Sequence, residues 1–214
     1  MTLLRTLESS LRAAVVLWRG TTDDRAAQIV EFALSLPLLV VFVVGIFDFS
    51  GALTLKQKLT NAAREGARVA AADPANDLGG GASAVPVSVS DAFYVVDNYL
   101  KSEQINDCGL STATPASAGT LTWSYSATGN GCPGPGVTFT INRGYYFPIT
   151  GGSAPSSSCS PQAPGGQTAL IGTCVSIKYG YKWRFNSVIT LLVPSATYAS
   201  ITSITTAATA FNEN

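Results

Sequence analysis

Glu31 is the residue whose placement most demands a chemical reason, because it heads the run Ala27-Gln-Ile-Val-Glu31-Phe-Ala-Leu-Ser-Leu-Pro37-Leu-Leu-Val-Val-Phe-Val-Val-Gly45-Ile-Phe. A charge at the mouth of an apolar span costs a few kcal/mol on insertion scales, so it persists where a partner or a function compensates it. The plainer reading is an acid at a helix N-terminus, where the helix dipole favours negative charge.

The other reactive side chains narrow the chemistry. The chain has no histidine, which removes Ser-His-Asp and Cys-His nucleophile systems and the histidine-based metalloprotease motifs. Asp77, Asp91, Asp97, Glu103, Asp107 and Glu213 are the acids beyond the Asp73-Pro74 stop of the long helix, and their settings read as caps, turns and solvated faces rather than a glycosidase-like pair. No glycine-rich loop follows a strand and opens a helix, so nucleotide binding has no support. No cofactor, metal or small-molecule substrate is implied.

Cys108, Cys132, Cys159 and Cys174 all follow the apolar segment. An even number on one side of an anchor fits disulfides in an oxidising compartment. There is no Cys-x-x-Cys pair, which argues against structural zinc. Three connectivities exist. Cys108 with Cys132 and Cys159 with Cys174 is favoured, because each pair closes a loop rich in Gly, Pro and Ser; buried free thiols are the alternative.

These residues need elements to position them. From Phe32 to Phe47 there is no charged side chain, Asp48 interrupts, and Phe49 to Leu55 is again uncharged. That length meets the roughly 20 residues needed to cross a bilayer. A secretory signal would carry a shorter apolar core and a cleavage site after it, so the segment reads as a retained anchor, with a buried core helix as the alternative. Leu55, Leu59, Ala62, Gly66, Val69 and Ala70 continue at helical spacing, predicting one helix from about Ala27 to Ala72 that ends at Asp73-Pro74. Ala62, Gly66 and Ala70 form a small-xxx-small ridge that another backbone could approach closely.

Residues 1–26 read as a cytoplasmic leader, with Leu4, Leu7, Leu11 and Trp18 on one face of a basic amphipathic helix, or as a leader without structure. Gly20 to Asp24 breaks that pattern and supplies caps for the next helix. Residues 73–214 read as an α+β domain. Gly79-Gly80-Gly81 is a flexible joint, Val85 to Val89 a short extended piece, and Ser90 the N-cap of a second helix running to about Lys101. Alternation then marks antiparallel strands at Leu121, Trp123 and Tyr125, at Val137, Phe139 and Ile141, and at Val175, Ile177, Tyr179 and Tyr181. Gly151 to Gly172 reads as a long surface loop clipped by the last two cysteines. Asn186 to Val193 is ambiguous between helix and strand, and Ile201 to Phe211 reads as a closing strand.

Charged residues are 12% of the chain and the formal net charge is zero. Nucleic-acid binding, which needs clustered Lys and Arg, is therefore excluded. Basic residues on the two sides of the span balance, so the positive-inside rule does not orient it. The cysteines and the long polar C-terminal part place the N-terminus in the cytoplasm and the domain outside.

The segments Ala26-Ala-Gln-Ile-Val-Glu31-Phe-Ala-Leu, Leu36-Pro37-Leu-Leu, Gly45-Ile-Phe-Asp48-Phe and Asn61-Ala-Ala-Arg64-Glu65-Gly66-Ala-Arg68, in this order and spacing, resemble the N-terminal region of the TadE-type minor pseudopilins of tight-adherence (Tad, Flp-pilus) systems. Coverage is strong from about Arg25 to Ala72, and weaker through Val175 to Tyr181 and Ala210 to Glu213. The resemblance implies a pilin-like fold and a non-enzymatic role in assembling or priming an adhesive pilus. It also implies other pilins or pseudopilins as partners, and a prepilin peptidase that cuts the leader at the inner membrane. An acid at the fifth mature position places that cut between Ala26 and Ala27, with Ala26 standing where the pattern usually has glycine. Glu31 would then neutralise the Ala27 amine of its own or a neighbouring subunit. An uncut, membrane-tethered adhesin or binding module is the alternative, and a tethered hydrolase a further one.

Overall fold

The uncharged run and the small-residue stripe that follows it lie on one continuous helix. The computed structural model describes residues 24–80, 84–148, 159, 169–192 and 202–213. Helix α1 spans Asp24–Ala72, 49 residues, with Pro37 inside it, so it is about 74 Å long at 1.5 Å per residue. It begins three residues before the expected Ala27. Of the expected leader, residues 1–26, residues 1–23 with the proposed amphipathic helix lie outside the described residues, and 24–26 open α1.

The two halves of α1 have opposite surroundings. From Ala27 to Leu39 every residue is exposed. From Leu59 onward Leu59, Ala62, Ala63, Ala67 and Ala70 are fully buried. The 18-residue window that marks a membrane span has a mean hydropathy of 2.6 and is 0% buried, which sets aside the core-helix alternative. Among the described residues this is the one helix long and apolar enough to cross a membrane.

After α1 the chain forms a 3-10 turn at Ala75–Gly80, where the sequence suggested a flexible joint. Helix α2 spans Val87–Ser102. Ser90 is not its N-cap: Pro86 holds that position with extended backbone, and the Ser90 hydroxyl donates to the Val87 carbonyl inside the first turn. The Asp77 carboxylate instead accepts the Ser88 N–H at 2.9 Å, satisfying one of the helix's unpaired donors from eleven residues upstream. The expected extended piece at Val85 to Val89 therefore shrinks to its first residues.

Strands β1 (Ala116–Gly119), β2 (Thr122–Ala127), β3 (Val137–Pro148), β4 (Ala169–Gly180) and β5 (Ser203–Phe211) form an antiparallel sheet in sequential order. Helix α3, Asn186–Leu192, resolves the ambiguous segment as helix. The fold is α+β, a long apolar N-terminal helix followed by a small antiparallel-sheet domain. Strand β1 had no alternation to announce it, being Ala-Ser-Ala-Gly at an exposed edge. Strand β4 starts at Ala169, inside the stretch read as loop, and Tyr181 falls just past its end.

The alternating residues meet in register. Trp123 pairs with Ile141 and Tyr125 with Phe139; Ile141 pairs with Val175 and Phe139 with Ile177. Side chains at every second position share a sheet face, so these form one apolar layer, on which α2 places Val89, Ala92, Phe93, Val96 and Leu100. Phe93 stacks on Tyr125 with centroids 4.2 Å apart. A smaller cluster of Tyr145, Cys159 and Cys174 forms a second core.

Candidate functional site

Among the described residues no group of three or more His, Cys, Asp or Glu side chains could hold a metal ion. The acids that do converge are ion-paired. Asp97 lies 2.6 Å and Asp107 3.6 Å from the Lys101 amine. Asp97, expected on a solvated face, is 4% exposed. The hydrogen bond with Asp97 raises the Lys101 pKa. Burial pushes the Asp107 carboxyl up, but the Gly109 N–H and the Lys101 charge together bring it below its ordinary value. The trio ties the end of α2 to the following loop, and Asp107 also accepts the Gly109 N–H at 3.1 Å.

The chemistry-bearing residues of α1 lie on its exposed half. The Ala26–Ala27 peptide is within the helix, Ala27 is exposed, and Glu31 is exposed with no hydrogen bond or ion pair among the described residues. Phe42, Ile46, Phe49 and Leu53 line an open apolar groove along the same helix. A Cβ built at Gly45, in that groove, meets nothing within 4 Å.

The small ridge faces the other way. Ala62 and Ala70 are fully buried, and a Cβ on Gly66 would sit 2.7 Å from Val96 Cγ2 and 3.6 Å from Val175 Cγ1. What approaches Gly66 is therefore Val96 and Ala92 of the chain's own α2 and Val175 of β4, and the buried ridge seats α1 on its domain. Arg64, Glu65 and Arg68 remain outside this seat; Glu65 and Arg68 form an exposed pair at 2.9 Å.

Both disulfides close the loops that their composition favoured. Cys108 joins Cys132 with Cα atoms 5.2 Å apart, and Cys159 joins Cys174 at 5.5 Å. The first fastens the segment after α2 to the β2–β3 turn. The second pins Cys159 to the middle of β4.

Two residues to which the sequence reading gave no role attach α1 to the domain at either end of its covered half. Asp48 is 1% exposed, and its two carboxylate oxygens accept the backbone N–H groups of Arg184 at 3.1 Å and Phe185 at 3.2 Å. Its main-chain carbonyl accepts the Tyr181 hydroxyl at 3.2 Å. Arg143 is fully buried, and its guanidinium donates to the Asp73 carbonyl at 3.0 Å and to Thr173 Oγ1 at 3.1 Å. Burial lowers the Arg143 pKa against the opposing pull of Asp77 and Asp73. The available signal for Asp48 was an acid alone in an apolar run; for Arg143 it was a cation inside an otherwise uncharged strand.

No curated protein and no solved structure matches the chain. Residues 26–68 match the family model described as TadE-like protein. The matched stretch begins at the exposed head of α1 and ends within its seated half. Over that stretch, 43 of 214 residues, the chain is similar to TadE-like proteins, and among the described residues it carries a single apolar helix of membrane-spanning length.

Proposed function

We propose that this chain is a non-enzymatic minor pseudopilin that takes part in assembling or priming an adhesive Tad-type pilus. The observation that carries the reading is the division of α1: its seated half is locked to the domain, while its apolar half offers Glu31 and an open groove to lipid or to other helices. In this reading the N-terminus is cytoplasmic, the domain is extracytoplasmic in the inner membrane, and other pilins or pseudopilins pack along the groove. Residues 1–26 are the leader, and a prepilin peptidase cuts between Ala26 and Ala27. The ridge Ala62, Gly66 and Ala70 serves helix packing within the subunit.

Glu31 then supplies the carboxylate that neutralises the Ala27 ammonium, which is costly in hydrocarbon unless paired. Intact-mass measurement of the membrane-extracted protein tests the processing. A chain beginning at Ala27 supports the pseudopilin; a chain retaining residues 1–26 supports a membrane-tethered binding module, the reading favoured by Ala26 at the cut.

A further inference from the structure

A second part of the chain lies against the membrane helix, and it comes from the domain. Counted from Glu31, Asp48 lies roughly 26 Å along the axis at 1.5 Å per residue, within the roughly 30 Å of a bilayer's hydrocarbon. At that level residues 181–185 are clamped onto α1 by the three hydrogen bonds that Asp48 accepts from Tyr181, Arg184 and Phe185. Trp183 fills the joint, edge-on to Phe49 at 5.3 Å and to Tyr181 at 5.1 Å.

Helix α3 follows directly and contacts α1. Val40, Val41 and Val44, one to two turns before Asp48, are partly buried, whereas Leu38, Leu39, Phe42, Val43, Ile46 and Phe47 are exposed. The covered strip runs toward the N-terminal end of α1, away from the sheet domain and into the apolar span. Its composition suits that place. Val188, Ile189, Leu191 and Leu192 are apolar, Ile189 is buried, and Ser187 and Thr190 are exposed.

We propose that Tyr181 to Leu192 forms a second membrane-contacting element, with α3 in the interface of the leaflet on the domain's side and its occupant the phospholipid of that leaflet. Tyr181, half-buried, sits where an amphipathic ring favours the membrane–water boundary. Lys182 and Arg184, both exposed, reach headgroup phosphates. The element fixes the depth and tilt of the domain, which one helix leaves free. The inference rests on α1 spanning a membrane and not on the pseudopilin role.

The test uses the full chain in phosphatidylcholine vesicles. The described residues contain no free cysteine, so Ser187→Cys, Thr190→Cys, Leu191→Cys and the control Ser111→Cys are each labelled with an environment-sensitive fluorophore. Ser111 is an exposed residue of the domain. Lipid nitroxides near the glycerol backbone should quench the Ser187 and Thr190 labels several-fold more than the Ser111 label, with blue-shifted emission and reduced iodide quenching. The proposal is overturned if no α3 label is quenched by lipid nitroxide beyond the Ser111 control. That includes labels shielded from iodide yet untouched by lipid, which would mean that protein covers α3. Separation from the span reading is given by Leu39→Cys: if it too escapes lipid quenching, α1 itself is not in the bilayer.

Discussion

The Arg143 guanidinium donates to the main-chain carbonyl of Asp73 at 3.0 Å, so the residue that ends α1 is held by the strand bulge in the middle of the sheet. Asn212 completes the joint, accepting from Thr173 Oγ1 at 2.6 Å and donating to the Arg143 carbonyl, while the Glu213 N–H reaches the Ala71 carbonyl at 2.9 Å. One orphan carbonyl of the last turn of α1, that of Ala71, is thus satisfied from the C-terminal segment that follows β5, and the Asp73 carbonyl just beyond the helix by Arg143.

Replacing Arg143 with Met keeps much of the volume but leaves the Asp73 carbonyl and Thr173 hydroxyl without their donor. Loss of charge-assisted hydrogen bonds at a buried site costs about 2–4 kcal/mol. Denaturant unfolding of the purified chain in detergent should show a midpoint lowered accordingly; an unchanged midpoint would show that water or Asn212 replaces the guanidinium without penalty.

At Gly66 α1 leaves no room for a side chain against Val96 of α2. Gly66→Ala puts a methyl 2.7 Å from Val96 Cγ2, and overpacking of this kind costs about 1–3 kcal/mol. Combining it with Val96→Ala should recover part of the loss, since the clashing methyl is gone. Additive losses in the double mutant would place the strain in the backbone instead.

Asp48→Ala removes the acceptor of the Arg184 and Phe185 N–H groups, at about 1–3 kcal/mol for buried donors left unpaired. Hydrogen exchange should quicken at residues 184–192 while protection at Phe139 and Ile177 persists. Uniform loss of protection across the sheet would mean that Asp48 supports the whole domain rather than the joint.

Burial, with a smaller contribution from Tyr94, pushes the Tyr125 pKa up to about 12 from 10.0. The folded state therefore favours the neutral phenol. That stability is fully present below pH 10 and is lost as pH rises from 10 towards 12. Tyr125→Phe keeps the stacking on Phe93 and removes the ionisation, so its alkaline unfolding midpoint should move to higher pH. A midpoint that stays put would assign alkaline unfolding to other groups.

How much of this was written along the chain depends on the range of the interaction. Tyr125, Phe139 and Ile177 announced the sheet because a period of two is local, and Leu59, Ala62 and Gly66 announced the helix for the same reason. The family resemblance likewise lay in contiguous segments of α1. Asp48 and Arg143 were not legible, because their partners lie 136 and 70 positions away. Ser90 misled: a local cap was expected, yet Pro86 fixes the start of α2 and Asp77 supplies the acceptor across a turn. The ridge at Gly66 was visible as a close-approach surface, but the identity of the approaching backbone was a tertiary fact.

The central claim is that the exposed half of α1 joins this chain to other pilins through Glu31. It is tested most directly by co-purifying the chain, wild type and Glu31→Gln, from crosslinked membranes with the pilins and pseudopilins of the Tad-type system proposed for it. The account predicts that the variant inserts at wild-type levels but loses at least about tenfold in recovered partners, as expected from about 1.4 kcal/mol or more of lost ion pairing. Equal recovery with both proteins would contradict it.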